Sequence, residues 1–251
     1  IFRQRKGLQD AISMSAVDAL MLENGWAFSK THPDPIGGHD FLHQIYTRAA
    51  ADYTGRVTVP LLWDKHKGTA VNNESSEIIR MFNGPMAALS SGVQSHDLYP
   101  AELAEEIDAV NARVYEPLNN GVYRCGFSTD QEVYASSVEA LFATLDWIEL
   151  RLQGKRWLVG GVETEADWRL FTTLVRFDSI YYGHFKCNIR RLVDYPNLWR
   201  YTREMYNLPG IAETIDLEDA KLHYYGSHRT VNPSGVVPSG PTLSWRLDET
   251  T

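Results

Sequence analysis

The chain turns on two strings: Gly55-Arg56-Val57-Thr58-Val59-Pro60-Leu61-Leu62-Trp63-Asp64 and, a turn later, Asn72-Asn73-Glu74-Ser75-Ser76-Glu77-Ile78-Ile79-Arg80-Met81. The β-branched run reads as a strand, and Pro60 removes a ladder donor, confining the segment to an edge, a bulge or a cis turn. Lys65 to Gly68 has hairpin-turn chemistry and Thr69 to Val71 reads as the returning strand. Ser75 to Phe82 then takes helical spacing, with Ile78, Ile79 and Phe82 apolar. This unit offers a ligand two kinds of contact. Val59 presents a peptide edge that can exchange backbone hydrogen bonds with an extended molecule, and a helix start at Ser75 favours a carboxylate. Together they suit a small anionic peptide. An ordinary strand, turn and helix, in which Ser75 caps its own helix and Glu74 is solvated, fits the same spacing and stays open.

Upstream, Ile1 to Gly7 reads as the last turns of an amphipathic helix closed by glycine. Ile12, Met14 and Ala16 alternate along Ala11 to Val17 as in a strand. Asn24 to Asp40, rich in Gly, Pro and His, reads as a surface loop leading to a helix over Phe41 to Ala51. Downstream, Asn83 to Pro100 has linker composition, and from Ala101 the periodicity turns helical. Val138, Leu141, Phe142, Leu145, Ile148 and Leu152 share one face. Thr164 with Asp167 forms a capping-box signature ahead of Leu170, Phe171, Leu174 and Phe177. Further helices are expected over Tyr195 to Tyr206 and Ile211 to Tyr225, followed by a coil packed on the surface. The expected organisation is a mixed α/β domain over 1–88, a linker over 89–100, an all-α domain over 101–225 and an extension over 226–251.

Composition narrows the function classes. A length of 251 residues leaves ample chain for a core, and a formal charge of -8 disfavours polyanions, so neither nucleic acid nor an acidic membrane is an expected partner. No run approaches the roughly eighteen apolar residues of a membrane helix. The two cysteines, Cys125 and Cys187, lie far apart in sequence without a CxxC pattern, which fits a reducing, cytosolic-type compartment. Eight scattered histidines make no metal-ligand spacing, so no metal is expected. GxSxG, phosphate-loop and GxGxxG patterns are absent. Asn73-Glu74-Ser75 matches a glycosylation sequon, which without a secretory signal reads as a chance match.

The proline-broken strand, the Glu-Ser helix start and the all-α second half resemble a glutathione transferase. Gly25-Trp26, Gly55 to Pro60 and Asn72 to Met81 are similar to those of the glutathionyl-hydroquinone reductases, also called Xi-class transferases. So are Asn119-Asn120-Gly121-Val122-Tyr123, Leu170 to Asp178, and His223-Tyr224-Tyr225. The resemblance implies a thioredoxin-like glutathione-binding domain followed by the helical transferase domain. Glutathione would be the co-substrate and glutathionylated aromatic hydroquinones the substrates. By motif, Trp26 and Arg56 would contact glutathione, Val59 before a cis Pro60 would pair with its cysteinyl backbone, and Glu74 with Ser75 would hold its γ-glutamyl end. Tyr123 and Tyr224 would line the aromatic pocket and donate hydrogen bonds to the quinol oxygens; without the resemblance both also read as core or interface tyrosines.

The family's nucleophile belongs to a Cys-Pro-Trp motif at the start of the helix whose end is read at Ile1 to Gly7. The resemblance therefore places the first strand and the reactive cysteine upstream of Ile1, assigns no catalytic residue within the chain, and expects the chain alone to be inactive. Cys125 and Cys187 read as inert packing residues. A homodimer in the cytoplasm is the expected state. Two other readings remain: a transferase-like subunit that binds or scaffolds without catalysis, and an ordinary transferase conjugating glutathione to electrophiles.

Overall fold

The computed structural model describes residues 1–90 and 96–247. The chain divides into two compact units, residues 2–95 and residues 96–251 together with Ile1. Part of the expected linker, 91–95, and the end of the expected extension, 248–251, lie outside the described residues.

The first unit opens on a helical turn, α1 (Phe2–Arg5). Gly7 ends it at φ 62°, where Leu8 N–H reaches back to Arg3 O (3.0 Å) and Gly7 N–H to Gln4 O (3.1 Å). That is a Schellman closure, and the left-handed conformation explains the glycine. α2 (Leu42–Ala49) buries Leu42, Ile45 and Tyr46. β1 (Leu62–Asp64) pairs antiparallel with β2 (Thr69–Asn72) across the expected turn, and α3 (Ser75–Asn83) buries Ile78 and Phe82. A small mixed α/β unit follows from these elements.

Two expected strands differ. Ala11 to Val17 is coil: the Ile12 and Gln9 carbonyls are taken by the Arg3 side chain at 2.5 and 2.8 Å, and Met14 is 77% exposed, so the alternation has no buried face to serve. The strand expected from Arg56 to Asp64 is in the ladder only from Leu62, with a register shift between Leu62 and Trp63. Pro60 carries no N–H, and the Thr58 carbonyl is taken by the Tyr46 hydroxyl at 2.8 Å.

The second unit is all-α. Its helices are α4 (Ala104–Val114), α5 (Gly121–Phe127), α6 (Gln131–Arg151), α7 (Glu165–Arg176), the single turn α8 (Tyr182–His184), α9 (Pro196–Tyr206) and α10 (Leu217–Ser227). π-helical turns at Tyr115–Asn119 and Phe177–Tyr181 join α4 to α5 and α7 to α8. The α6 face read from the sequence is buried, with Leu141, Leu145 and Ile148 at 0% exposure. The capping box at Thr164 forms, and its Asp167 carboxylate accepts from Thr164 N (2.8 Å), Thr164 Oγ1 (2.9 Å), Leu158 N (3.0 Å) and Tyr201 OH (2.9 Å). The helix expected over Ile211 to Tyr225 is instead a 3-10 turn, Ala212–Thr214, and then α10, because extended Asp216 starts a new helix by accepting from Asp219 N at 2.9 Å. The extension is anchored by Trp245, which stacks on Tyr206 with ring centroids 4.9 Å apart, and by Asn207 Nδ2 donating to Trp245 O at 2.8 Å. Among the described residues no helix is long and apolar enough to cross a membrane.

Candidate functional site

In the first unit one side chain that the sequence did not single out, Tyr46 on α2, touches Thr58 and Asn73, the residues just before Val59 and Glu74. Its buried ring belongs to the Leu42, Ile45 and Tyr46 cluster against which Trp26 packs. Its hydroxyl donates to Thr58 O at 2.8 Å and accepts from Asn73 Nδ2 at 3.2 Å; Asn73 Nδ2 also lies 3.5 Å from Thr58 Oγ1. One phenol therefore ties the segment before Val59 to the segment before Glu74. Tyr53 packs on Tyr46 with centroids 4.9 Å apart and donates to Arg56 O at 2.7 Å, which fixes the backbone beneath Arg56.

Val59 precedes a cis peptide to Pro60 and is 43% exposed. Among the described residues neither its N–H nor its C=O makes a backbone hydrogen bond, so the peptide edge is open. Arg56 is exposed. At the helix start the roles of the two polar residues are exchanged relative to the spacing argument. Glu74, in extended conformation, is the N-cap and accepts from Ser76 N and Ser76 Oγ, both at 3.1 Å, while its own N–H donates to Asn72 Oδ1 at 2.6 Å. Exposed Ser75 is the first helical residue. A helix start, an open peptide edge and an exposed guanidinium can together hold a peptide with carboxylate ends.

The second unit brings Tyr123 and Tyr224 into direct contact. Tyr123 stands on α5 and Tyr224 on α10, and their hydroxyls are 2.6 Å apart. A third phenol, Tyr181, ends the second π-helical turn with its hydroxyl 3.2 Å from that of Tyr224. Tyr181 was missed because an aromatic residue one turn beyond Phe177 reads as core; the one signal available was its place just beyond the Leu170–Asp178 string. The series runs outward, from buried Tyr181 through Tyr224, 7% exposed, to Tyr123, 39% exposed.

Burial raises the Tyr224 and Tyr181 phenols above their ordinary values, so both stay protonated at neutral pH. Burial pulls the Arg176 guanidinium down, but electrostatic interaction with the Tyr181, Tyr224 and Tyr123 phenols leaves it raised overall. The result is a chain of phenolic donors backed by a cation and opening to solvent at Tyr123. It can hydrogen-bond an oxygen-bearing aromatic ligand and stabilise negative charge that develops on it. Two open hollows of the helical unit, one lined by Gly154, Lys155, Arg156, Arg200 and Glu204 and one by Glu106, Ala109, Val110, Arg113, Trp147 and Arg151, include none of these residues.

Cys125 and Cys187 are both free and buried. Among the described residues no cluster of metal-ligating side chains occurs.

Comparison with known proteins concerns the chain as a whole. Residues 131–204 match the family described as glutathione S-transferase, C-terminal domain. The chain is 56% identical over 244 residues to the glutathionyl-hydroquinone reductase PcpF of Sphingobium chlorophenolicum, covering 96% of this chain and 77% of that protein. The glutathione-bound structure of YqjG, a glutathione transferase homolog from Escherichia coli K-12, superposes with a TM-score of 0.93 at 47% identity, over 97% of this chain and 80% of that one. The Xi-class transferase of Natrialba magadii gives a TM-score of 0.95 at 44% identity, over 99% of this chain and 78% of that one.

Proposed function

Since the chain belongs to the glutathione transferase family, in the branch of the Xi-class enzymes and glutathionyl-hydroquinone reductases, we propose that it takes part in glutathione-dependent reduction of glutathionylated hydroquinones. Trp26, Arg56, Val59, Glu74 and Ser75 take the glutathionyl moiety, and Tyr123 and Tyr224 take the quinol. The observation that carries this assignment is the 2.6 Å Tyr123–Tyr224 hydrogen bond, a phenolic donor pair with one member exposed.

In this scheme a thiolate attacks the glutathionyl sulfur. A protein–glutathione disulfide forms, the aromatic C–S bond breaks, and the ring carbon keeps the electron pair and gains a proton. A second glutathione then displaces the protein thiol, giving glutathione disulfide. Charge left on the quinol during C–S cleavage is stabilised by the phenolic hydrogen bonds.

The attacking thiol is assigned upstream of Ile1. Supporting this, Cys125 and Cys187 are both buried rather than presented to a ligand. Two free thiols fit a reducing, cytosolic-type compartment, and a homodimer is expected on family resemblance. Metal plays no part in the scheme.

The test is to supply the polypeptide extended through that thiol with a glutathionylated hydroquinone and glutathione. One free hydroquinone and one glutathione disulfide are expected per substrate consumed. Glutathione binding without turnover would favour the non-catalytic binding or scaffold reading. Conjugation of glutathione to electrophiles without hydroquinone release would favour an ordinary transferase.

A further inference from the structure

The helix that carries Tyr224 ends on a histidine. His228 closes α10 one turn beyond Tyr224, its N–H donating to Tyr224 O at 3.4 Å. Its ring nitrogen Nδ1 lies 3.2 Å from Nε2 of His184, the last residue of α8, which is 4% exposed. Aromatic rings surround that bond. His228 stands perpendicular to Tyr224 with centroids 5.4 Å apart, stacks on Phe185 at 5.9 Å and meets Phe127 edge to face at 4.9 Å. Phe185 in turn packs on Tyr123 at 5.5 Å, on Tyr181 at 5.8 Å and on Tyr224 at 5.6 Å. The backbones approach as closely as glycine permits: a Cβ on Gly183 would fall 2.7 Å from the Tyr225 hydroxyl, and one on Gly126 would fall 1.9 Å from the Phe185 ring. The proposed reaction uses neither histidine.

We infer that His228, through its hydrogen bond to His184, is a positioning residue that holds Tyr224 within hydrogen-bond reach of Tyr123. Contacts between rings are individually weak and tolerate several arrangements, so by themselves they let one helix slide on another. A hydrogen bond weakens steeply with distance and angle. The histidine bond therefore fixes where the end of α10 sits on α8, and with it the Tyr224 side chain one turn back. Little slack is available there, because a displacement of about 1 Å carries a hydroxyl pair 2.6 Å apart out of hydrogen-bond range. Burial keeps both imidazoles neutral at neutral pH, which leaves one ring nitrogen to donate and the other to accept. His228 touches neither reacting group in this arrangement; it acts through the Tyr224 hydroxyl.

The test has a structural arm and a kinetic arm, and only the kinetic arm rests on the functional reading above. In crystal structures the Tyr123–Tyr224 hydroxyl separation should stay at 2.6 Å in His228→Asn, whose side-chain amide stands where Nδ1 does. It should open beyond hydrogen-bond range in His228→Phe, which keeps a ring and loses the bond. In turnover of a glutathionylated hydroquinone by the protein extended through the upstream thiol, His228→Phe should lower kcat by roughly tenfold to a hundredfold and leave the KM for glutathione unchanged. His228→Asn should restore most of that loss. Added to Tyr224→Phe, His228→Phe should cost nothing further, because the hydroxyl it positions is already gone. His228→Ala removes the bond without crowding and carries the same expectations should the phenylalanine variant not fold. An unchanged hydroxyl separation in the bond-deleting variant would overturn the inference, and so would a kcat loss of equal size with and without the Tyr224 hydroxyl. Absence of turnover in the unsubstituted protein would overturn the functional reading instead, and the hydroxyl separation would then decide the inference alone.

Discussion

Two tyrosines decide the geometry of the two clusters, and each invites a single-atom test. Tyr46→Phe deletes the donor to Thr58 O and the acceptor for Asn73 Nδ2. The loss of about 1 kcal/mol expected for such a hydrogen bond corresponds to a fall of about fivefold in glutathione affinity, measurable by calorimetric titration. Tyr224→Phe breaks the phenolic series in the middle and takes a partner from buried Tyr181. Turnover should fall by roughly tenfold to a hundredfold, while glutathione affinity should stay unchanged. Trp26, Arg56, Val59, Glu74 and Ser75 were singled out from the sequence because they sit in contiguous strings with distinctive neighbours. Tyr46 and Tyr181 were not, because a tyrosine on a helix face has the same pattern whether its hydroxyl organises a site or merely finds a partner in the core.

Among the elements, α7 shows how a sequence signal becomes a buried polar hub. Asp167 is pushed up to about 6 by burial, which outweighs the hydrogen bonds from Leu158, Thr164 and Tyr201 that lower it. The folded state therefore holds this proton where the unfolded chain has released it. The group is protonated in both states below about pH 4, so the stability it lends there is lost as pH rises to about 6, by about 3 kcal/mol. In Asp167→Asn that slope should vanish. The variant should also be destabilised at low pH by about 1–3 kcal/mol: the amide nitrogen must replace one carboxylate oxygen, and either choice leaves a backbone N–H, of Leu158 or of Thr164, without its acceptor. Urea unfolding of both proteins at pH 4.5 and 7 checks both parts; the pH values are chosen on either side of about 6. The capping box and the apolar face of α6 were readable because local chemistry and burial agree there. Ala11 to Val17 misled because its alternation is real but has no ladder to join, and the Arg3 side chain takes the Ile12 carbonyl.

At the level of the whole chain, the change from mixed α/β to all-α texture was visible in the periodicity alone, whereas the pairing of distant residues was not. Tyr123 and Tyr224 are separated by 101 positions, and only tertiary packing brings their hydroxyls together. The same packing sets the acid response of the helical unit. His184 and His228, 3.2 Å apart between ring nitrogens, are both lowered to about 4, chiefly by burial and then by neighbouring histidines. The unfolded chain binds these protons first as pH falls below about 6.5, so the neutral pair stabilises the folded state above that value and the contribution is lost towards about pH 4. Asp167 acts in the opposite direction over part of this range. With two imidazoles against one carboxyl, the melting temperature should fall on acidification from pH 7 to 5, values chosen on either side of the ordinary histidine value of about 6.5. His228→Asn should flatten that fall.

The most direct measurement is the intact mass of the protein, extended through the expected upstream thiol, after mixing with a glutathionylated hydroquinone in the absence of free glutathione. One glutathionyl group should appear on that thiol, with one hydroquinone released per protein, and added glutathione should remove it. Hydroquinone release with no protein adduct, or an adduct on Cys125 or Cys187, would contradict thiol–disulfide exchange through an upstream cysteine.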